Sequence, residues 1–221
     1  MKVLVACEES QEVCKAFRAK GHEAYSCDLL EPSGGHPEWH VHGDVLPLLG
    51  GYCEFVTMDG ATHVIDGWWD LLIAHPPCTY MTKAGARWMY KRVDGVQYIN
   101  AERFWKMRSA RNFFYRILDA RAYRICIENP RPLKICELLQ PTQTIQPYQF
   151  GHPFSKETLL WLIHLPKLKP TEIIGQYTPW MPSNTGGFSR GGGGAKGVAH
   201  DPKTASRTFS GIAKAMADQW G

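Results

Sequence analysis

The segment Asp70-Leu-Leu-Ile-Ala-His-Pro-Pro-Cys78 predicts a buried strand that presents one thiol at its end. Its apolar run, Leu71 to Ala74, has the length of a strand, and the two prolines end that strand because proline cannot donate to a sheet ladder. In open α/β sheets, ligands bind at the carboxyl edge of the strands. Cys78 is therefore a candidate nucleophile, although a buried cysteine after an ordinary Pro-Pro turn would leave the same local pattern.

The composition is that of an ordinary globular protein. The chain has 221 residues, of which 44% are hydrophobic and 21% are charged, and this length can bury a substantial core. We predict one domain, 1–221, with a glycine-rich flexible loop at 183–200. No apolar run approaches a signal peptide or the roughly 20 residues of a membrane span. The seven scattered cysteines favour reduced thiols in the cytoplasm over disulfides or zinc, so we expect no metal and no membrane contact.

The charge is distributed unevenly along the chain. Residues 1–70 hold 4 Lys/Arg and 12 Asp/Glu, a net charge of −8, whereas residues 81–124 hold 11 Lys/Arg and 3 Asp/Glu, a net charge of +8. The basic residues of the second segment are interleaved with nine aromatic residues. This combination suits a nucleic-acid backbone beside splayed or stacked bases. A helix with a solvated basic face and an aromatic core face would show the same pattern.

Strand-like and helix-like segments alternate along the chain. Strands are predicted over 2–7, 23–27, 54–57, 69–74, 123–127, 142–148 and 158–164, and helices over 10–19, 103–120 and 210–220. Such alternation predicts an α/β fold whose mostly parallel sheet has helices on both faces.

Polar residues follow several of these strands. Asp28 ends the second strand, where a carboxylate can accept two ribose hydroxyls, and Asp44 after the next turn is placed for an adenine amino group. The sequence Glu128-Asn129-Pro130 follows a later strand in the way Cys78 follows its own. If those two strands are neighbours, Glu128 faces Cys78 across the sheet edge. Each of these residues could also serve only as a turn former.

Together these segments resemble the DNA cytosine-5 methyltransferases, particularly their short prophage-type members, in motif order along nearly the whole chain. Pro76-Pro77-Cys78 matches the nucleophile motif, and Glu128-Asn129-Pro130 matches the Glu-Asn-Val of the family. Residues 150–156 resemble the next block, and residues 211–216 resemble the helix that closes over the cofactor. The resemblance implies a Rossmann-like fold dependent on S-adenosylmethionine, in a single methyltransferase domain.

The resemblance also implies a role for each matched residue. Cys78 would add to C6 of a cytosine flipped out of double-stranded DNA, Glu128 would bond the N3 edge, and Asn129 would hold the nucleophile loop. Lys156 would reach the cytosine carbonyl. The implied cofactor contacts are Cys7, Glu8, Glu9, Ser10, Asp28, Leu29, Asp44, Val45, His75 and Pro76. The expected DNA contacts are Thr79, Lys83, Arg87, Lys91, Arg92, Arg190 and Lys196, the last two in a tract that a flexible linker would also explain.

The sequence departs from the family in three places. The first loop, 5–11, lacks the usual glycines, and Lys156 and Thr158 stand where the family has two arginines. Residues 161–206 leave no room for a target-recognition domain. We therefore expect short or relaxed sequence specificity, or dependence on a specificity partner. Two other functions stay open: a methyltransferase acting on a free pyrimidine nucleotide or another small acceptor, and a non-catalytic DNA-binding protein with a degenerate methyltransferase fold.

Overall fold

A computed structural model describes residues 1–82, 88–180 and 202–221. These residues form the strands β1 (Lys2–Ala6), β2 (Glu23–Asp28), β3 (His40–His42), β4 (Cys53–Val56), β5 (Thr62–Ile65), β6 (Leu71–Ala74), β7 (Tyr90–Val93), β8 (Val96–Ile99), β9 (Ile125–Asn129), β10 (Gln143–Ile145), β11 (Phe154–Ser155), β12 (Thr158–Ile163) and β13 (Thr178–Pro179). They also form the helices α1 (Glu12–Arg18), α2 (Ala101–Leu118), α3 (Pro202–Ser206) and α4 (Ser210–Trp220). Lys83, Arg87, Arg190, Lys196 and the tract 183–200 lie outside the described residues.

A mostly parallel sheet forms the centre of the described structure. Its seven strands lie in the order β10-β12-β9-β6-β1-β2-β3. The five strands from β9 to β3 are parallel to their neighbours, whereas β12 is antiparallel to both β9 and β10. This topology confirms the prediction of an α/β fold with a mostly parallel sheet.

Helices cover both faces of the sheet because successive strand residues point to opposite sides. On one face Leu71 and Ile73 belong to a core cluster that includes residues of α1 and α4. On the other face Leu72 and Ala74 belong to a cluster with Phe114 of α2. All four strand residues are fully buried, so the near-continuous apolar run of β6 reflects burial on both faces.

Several elements differ from their sequence prediction. The strand predicted over 123–127 is β9, which runs from Ile125 to Asn129, so Glu128 and Asn129 are its last residues rather than the residues after it. The strand β5, which pairs with β4, was not predicted. The first helix begins at Glu12 rather than at Ser10, because Gln11 has a left-handed φ of 58°. The predicted strand 142–148 ends at Ile145, and Pro147 begins a short 3-10 turn instead. The hairpin of β7 and β8 was not predicted at all, since both faces of its strands are exposed and show no alternation of apolar and polar residues. The final helix, Ser210–Trp220, has the predicted bounds.

The described residues also bear on the expectations drawn from composition. None of their helices is long and apolar enough to cross a membrane. Nowhere in these parts of the chain do three or more His, Cys, Asp or Glu side chains form a group suited to a metal ion. The seven cysteines, all of which are described, are free.

The close approach of Gly211 to the 150–156 segment generates a stability prediction. A Cβ at Gly211 would overlap the carbonyl oxygen of Phe150 and lie 2.9 Å from Nε2 of His152, which also accepts a hydrogen bond from Gly211 N. We expect Gly211→Ala to lower the free energy of unfolding by about 1–3 kcal/mol in urea denaturation. Gly175→Ala is the control because a Cβ there meets nothing within 4 Å. Equal midpoints for the two variants would contradict this packing.

Candidate active site

The carboxyl ends of β1 and β6 meet at the point where the order of the parallel strands reverses. From β1 the chain continues to β2 and β3 on one side, whereas β6 and β9 lie on the other side. The loops that follow β1 and β6 therefore diverge and leave a crevice, which is the usual ligand site of such sheets. Cys7 and His75 directly follow these two strands. The residues predicted to contact the cofactor thus follow neighbouring strands at one edge of the sheet.

The loop after β1 holds a strained backbone without glycine. Cys7 and Gln11 both have φ values of 58°, in the left-handed region that side chains other than glycine rarely adopt. Gln11 is fully buried. Its Nε2 donates to Ser26 Oγ at 3.2 Å and to His36 O at 2.8 Å, and its Oε1 accepts from His36 N at 3.1 Å. Sequence reasoning missed this glutamine, which supports the loop conformation in place of the missing glycines.

The two glutamates of this loop have different surroundings. Glu8 is buried, and its carboxylate accepts hydrogen bonds from Val13 N at 2.6 Å and Cys14 N at 3.2 Å. It therefore caps α1, and burial raises its pKa although His75 and these bonds act in the opposite direction. Glu9 Oε2 is buried without a hydrogen-bond partner in the described residues, and the Lys203 ammonium lies 3.6 Å away.

Among Glu8, Glu9 and Ser10, which were predicted to contact the cofactor, Glu9 therefore has a carboxylate oxygen that accepts no hydrogen bond in the described residues. Ser10 is buried, and the carboxylate of Glu8 is used by the backbone of α1.

The carboxylates of Asp28 and Asp44 lie close enough to Cys7 for their charges to raise the pKa of its thiol, after burial as the larger cause. Each also forms a local turn: Asp28 Oδ1 accepts from Leu30 N at 2.9 Å, and Asp44 Oδ1 accepts from Leu46 N at 3.0 Å. Leu29 and Val45, which were also predicted to contact the cofactor, directly follow Asp28 and Asp44. Leu29 is 71% exposed and offers apolar surface beside Asp28, whereas Val45 is buried.

The pairing of β6 with β9 brings the two motif segments together. Ala74 lies opposite Ile127, so His75 and Pro76 follow opposite Glu128 and Asn129. His75 Nδ1 is 2.6 Å from Glu128 Oε2. Asn129 is buried, and its Nδ2 donates to the carbonyl oxygen of Pro76 at 3.1 Å. The amide of Asn129 therefore holds the turn that carries Cys78, and His75, which was predicted to contact the cofactor, pairs with Glu128.

The His75–Glu128 pair has opposite pKa shifts that favour an ion pair. Burial by itself lowers the pKa of His75, but its hydrogen bond to Glu128 and the charges of Glu128 and Glu8 raise it overall. Burial raises the pKa of Glu128, but the hydrogen bond and charge of His75, with smaller contributions from Lys156 and Thr158, lower it overall. The other imidazole nitrogen, His75 Nε2, is buried without a hydrogen-bond partner in the described residues.

Cys78 is a partly buried thiol beside this pair. Burial and the charge of Glu128 raise its pKa, whereas a backbone hydrogen bond and the charge of Lys156 lower it. The resting side chain is therefore a thiol rather than a thiolate. Lys156 Nζ lies 5.9 Å from the Phe209 ring centroid. Thr158, which sequence reasoning treated only as a missing arginine, is buried; its hydroxyl donates to the carbonyl oxygen of Lys156 at 3.1 Å and helps to lower the pKa of Glu128.

The residues predicted to contact DNA lie on exposed surface where they are described. Thr79 is exposed, and its carbonyl oxygen accepts from Arg103 at 2.9 Å. Lys91 and Arg92 are exposed on β7. Beside the nucleophile turn, an open groove of about 740 Å³ runs along α2; its lining includes Pro77, Tyr80, Trp105 and Phe113.

Comparisons with known proteins show no family for this chain. No family model matches the chain, and no curated protein matches its sequence. Among solved structures, the chain is similar to a mutant of DNMT2 from Spodoptera frugiperda, with 15% sequence identity and a TM-score of 0.37. The similarity covers 82% of this chain and spans 55% of the length of that one. The central sheet of the chain is itself a mostly parallel α/β sheet, with antiparallel β12 between β9 and β10.

We expect the titration of His75 to depend on Glu128. In the wild type its pKa should exceed the ordinary 6.5, so the pair stabilises the folded state below pH 6.5 and this contribution is lost as the pH rises through the raised pKa. In Glu128→Gln the pKa should fall, because burial remains and the paired charge is gone. Histidine ring NMR signals against pH, assigned with His75→Gln, measure this. Glu157→Gln, which removes a partner of Arg131, is the control and should leave the pKa of His75 unchanged. If the pKa of His75 is also unchanged in Glu128→Gln, the proposed His75–Glu128 ion pair is wrong.

The reactivity of Cys78 should respond to its two charged neighbours in opposite directions. Glu128→Gln removes a charge that raises the thiol pKa, and Lys156→Gln removes one that lowers it. At pH 8 we expect iodoacetamide to alkylate Cys78 faster in the first variant and more slowly in the second, by up to about tenfold per pKa unit. Peptide mass spectrometry separates Cys78 from the other cysteines. Rates that change in the same direction in both variants would contradict this electrostatic arrangement.

Proposed function

We propose that this protein is an S-adenosylmethionine-dependent methyltransferase that acts on C5 of cytosine in double-stranded DNA. The observation that carries the proposal is the parallel pairing of β6 with β9. This pairing brings three groups to the carboxyl edge of the sheet: the thiol of Cys78, the carboxylate of Glu128 and the amide of Asn129, which binds the carbonyl oxygen of Pro76. These are the groups that addition of a nucleophile to an electron-poor ring requires.

The reaction begins at the cytosine ring. The Cys78 thiol gives its proton to water, and its sulfur bonds to C6 while N3 accepts a proton from Glu128, so that C5 becomes carbanion-like. S-adenosylmethionine, when bound, supplies the methyl group that C5 takes and leaves as the neutral thioether. The proton on C5 then passes to water, the bond between sulfur and C6 breaks with its electrons returning to the sulfur of Cys78, and N3 returns its proton to Glu128. The base must leave the helical stack for Cys78 to reach it.

The ion pair beside Cys78 supplies the proton for N3. The imidazolium of His75 gives its proton to Glu128 through their 2.6 Å contact, and Glu128, which holds the N3 edge, delivers that proton to N3. The raised pKa of His75 keeps that proton available near neutral pH. Lys156 completes the site by pointing a positive charge toward the cytosine carbonyl, as a single charge rather than the fork of an arginine.

The cofactor would bind along the ends of β1, β2 and β3. Asp28 would accept the ribose hydroxyls, and Asp44 would accept the adenine amino group. Glu9 would hold the ammonium group of the methionine, since its buried Oε2 is without a hydrogen-bond partner in the described residues. The nearest cation to this oxygen is the exposed Lys203 ammonium, 3.6 Å away, so the ammonium group of the cofactor would supply the hydrogen bonds that Oε2 lacks.

Covalent trapping tests the reaction directly. We expect a denaturing gel to show a protein–DNA adduct after incubation with S-adenosylmethionine and duplex DNA carrying 5-fluorocytosine, because fluorine at C5 blocks the final elimination. Cys78→Ser should abolish the adduct, and Glu128→Gln should reduce its rate by about 10²–10⁴-fold. Cys53→Ser, which changes another partly buried cysteine, should leave it intact.

Two results would contradict the proposal. An adduct that persists in Cys78→Ser would exclude this nucleophile. Absence of an adduct across varied sequences, with cofactor binding confirmed by titration, would count against DNA as the acceptor of the isolated chain. Transfer of a labelled methyl group to dCMP would then support the small-acceptor function, whereas DNA binding without any transfer would support the non-catalytic one.

A further inference from the structure

A two-stranded ribbon projects from the protein shortly after the nucleophile turn. It consists of β7 and β8, whose eight residues are all exposed. A turn of two residues joins the strands, with φ values of 49° at Asp94 and 78° at Gly95, as tight hairpins prefer. Within the described residues, both faces of the ribbon are open. An isolated hairpin is marginally stable in water, so its position depends on the way its base is held.

The base of the ribbon is tied to the start of α2. Asn100 N donates to Met89 O at 2.8 Å, Asn100 Nδ2 donates to Trp88 O at 3.2 Å, and Asn100 Oδ1 accepts from Arg103 N at 3.5 Å. The Arg103 guanidinium in turn donates to Thr79 O at 2.9 Å. The start of α2 therefore holds both the base of the ribbon and the turn that carries Cys78.

A small buried cluster strengthens this shared support. Met89 at the base of the ribbon is fully buried with Met107 of α2 and with Met81, three residues after Cys78. Met81 N also donates to Cys78 O at 2.9 Å. The ribbon thus projects from the same end of the protein that carries the nucleophile.

The two faces of the ribbon carry different side chains. Arg92 lies opposite Gln97, and side chains at directly paired positions share a face with Cβ atoms about 5 Å apart. Lys91 lies opposite Tyr98 on the other face. Arginine and glutamine can each form two hydrogen bonds to a base edge in the major groove, arginine to guanine and glutamine to adenine. Lysine instead offers a single charge suited to a phosphate.

We propose that this ribbon enters the major groove of duplex DNA, where the Arg92–Gln97 pair reads base edges near the target cytosine and sets a short sequence preference. The proposal rests on the proposed function, and the net charge of +8 over residues 81–124 supports DNA as the partner. A major groove about 12 Å wide admits a two-stranded ribbon. The major groove of duplex RNA is too narrow for side chains to read, so the ribbon discriminates against it.

Binding selection separates base reading from attraction to phosphates. The full chain is mixed with duplex DNA randomised around one cytosine, and the bound fraction is sequenced. We expect the wild type to enrich a motif of about two base pairs. Arg92→Lys keeps the positive charge but loses the two parallel N–H donors of the guanidinium. The preference for one base at one position of the motif should therefore fall by about 5- to 150-fold. Gln97→Ala should weaken preference at a different position.

Salt dependence supplies the complementary measurement. In anisotropy titrations, Lys91→Ala should lower the slope of log affinity against log salt by about 0.9 while leaving the selected motif unchanged. Arg92→Lys should leave the slope unchanged. Lys167→Ala, which removes an exposed charge beside the end of α4, should change neither quantity.

Three outcomes would overturn the ribbon proposal: no preference in the wild type, an unchanged motif in Arg92→Lys, or equal affinity for duplex RNA. These outcomes are independent of the chemistry. If the wild type forms a covalent adduct on 5-fluorocytosine DNA but Arg92→Lys selects the same motif, only the ribbon proposal would be overturned. A motif that depends on Arg92, without any adduct, would support the ribbon and overturn the methyltransferase function.

Discussion

The parallel hydrogen bonding between β6 and β9 is the constraint on which the candidate site depends. With Ala74 opposite Ile127, the residues that follow each strand pair across the edge, and a shift of one residue would exchange every partner. His75 then meets Glu128, and Asn129 reaches the carbonyl oxygen of Pro76. The prolines reinforce this geometry because they end β6 without offering further backbone donors.

This arrangement removes charged carboxylates from water, which costs solvation free energy, and the neighbouring groups offset that cost. Glu8 is compensated by two backbone donors at the start of α1, whereas Glu128 is compensated by the imidazole of His75. Because both carboxylates act on His75, the pKa of its imidazole is raised. The same negative charge of Glu128 raises the pKa of Cys78. In the proposed reaction, His75 would therefore serve as the proton source, and Cys78 would lose its proton only when it adds to the base.

The elements predicted best were those whose local pattern reflects burial. The apolar runs of β1, β6 and β9 and the amphipathic pattern of α4 each indicated an element close to its observed bounds. The ribbon of β7 and β8 was missed because exposed strands carry no such pattern, and only the Asp94–Gly95 turn gave a local signal. The left-handed backbone at Cys7 and Gln11 was equally hidden, since it depends on bonds from Gln11 to a distant loop.

For the candidate site, the sequence by itself determined which chemical groups stand at the strand ends: a thiol after two prolines, a carboxylate with an amide, and two acidic residues earlier in the chain. Only the tertiary structure decided which groups meet. It paired His75 with Glu128, assigned Glu8 to the start of α1 and left Glu9 as the available carboxylate. The physical reason is that strand ends follow from local apolar runs and prolines, whereas the partners of a side chain follow from the register between strands distant in the chain.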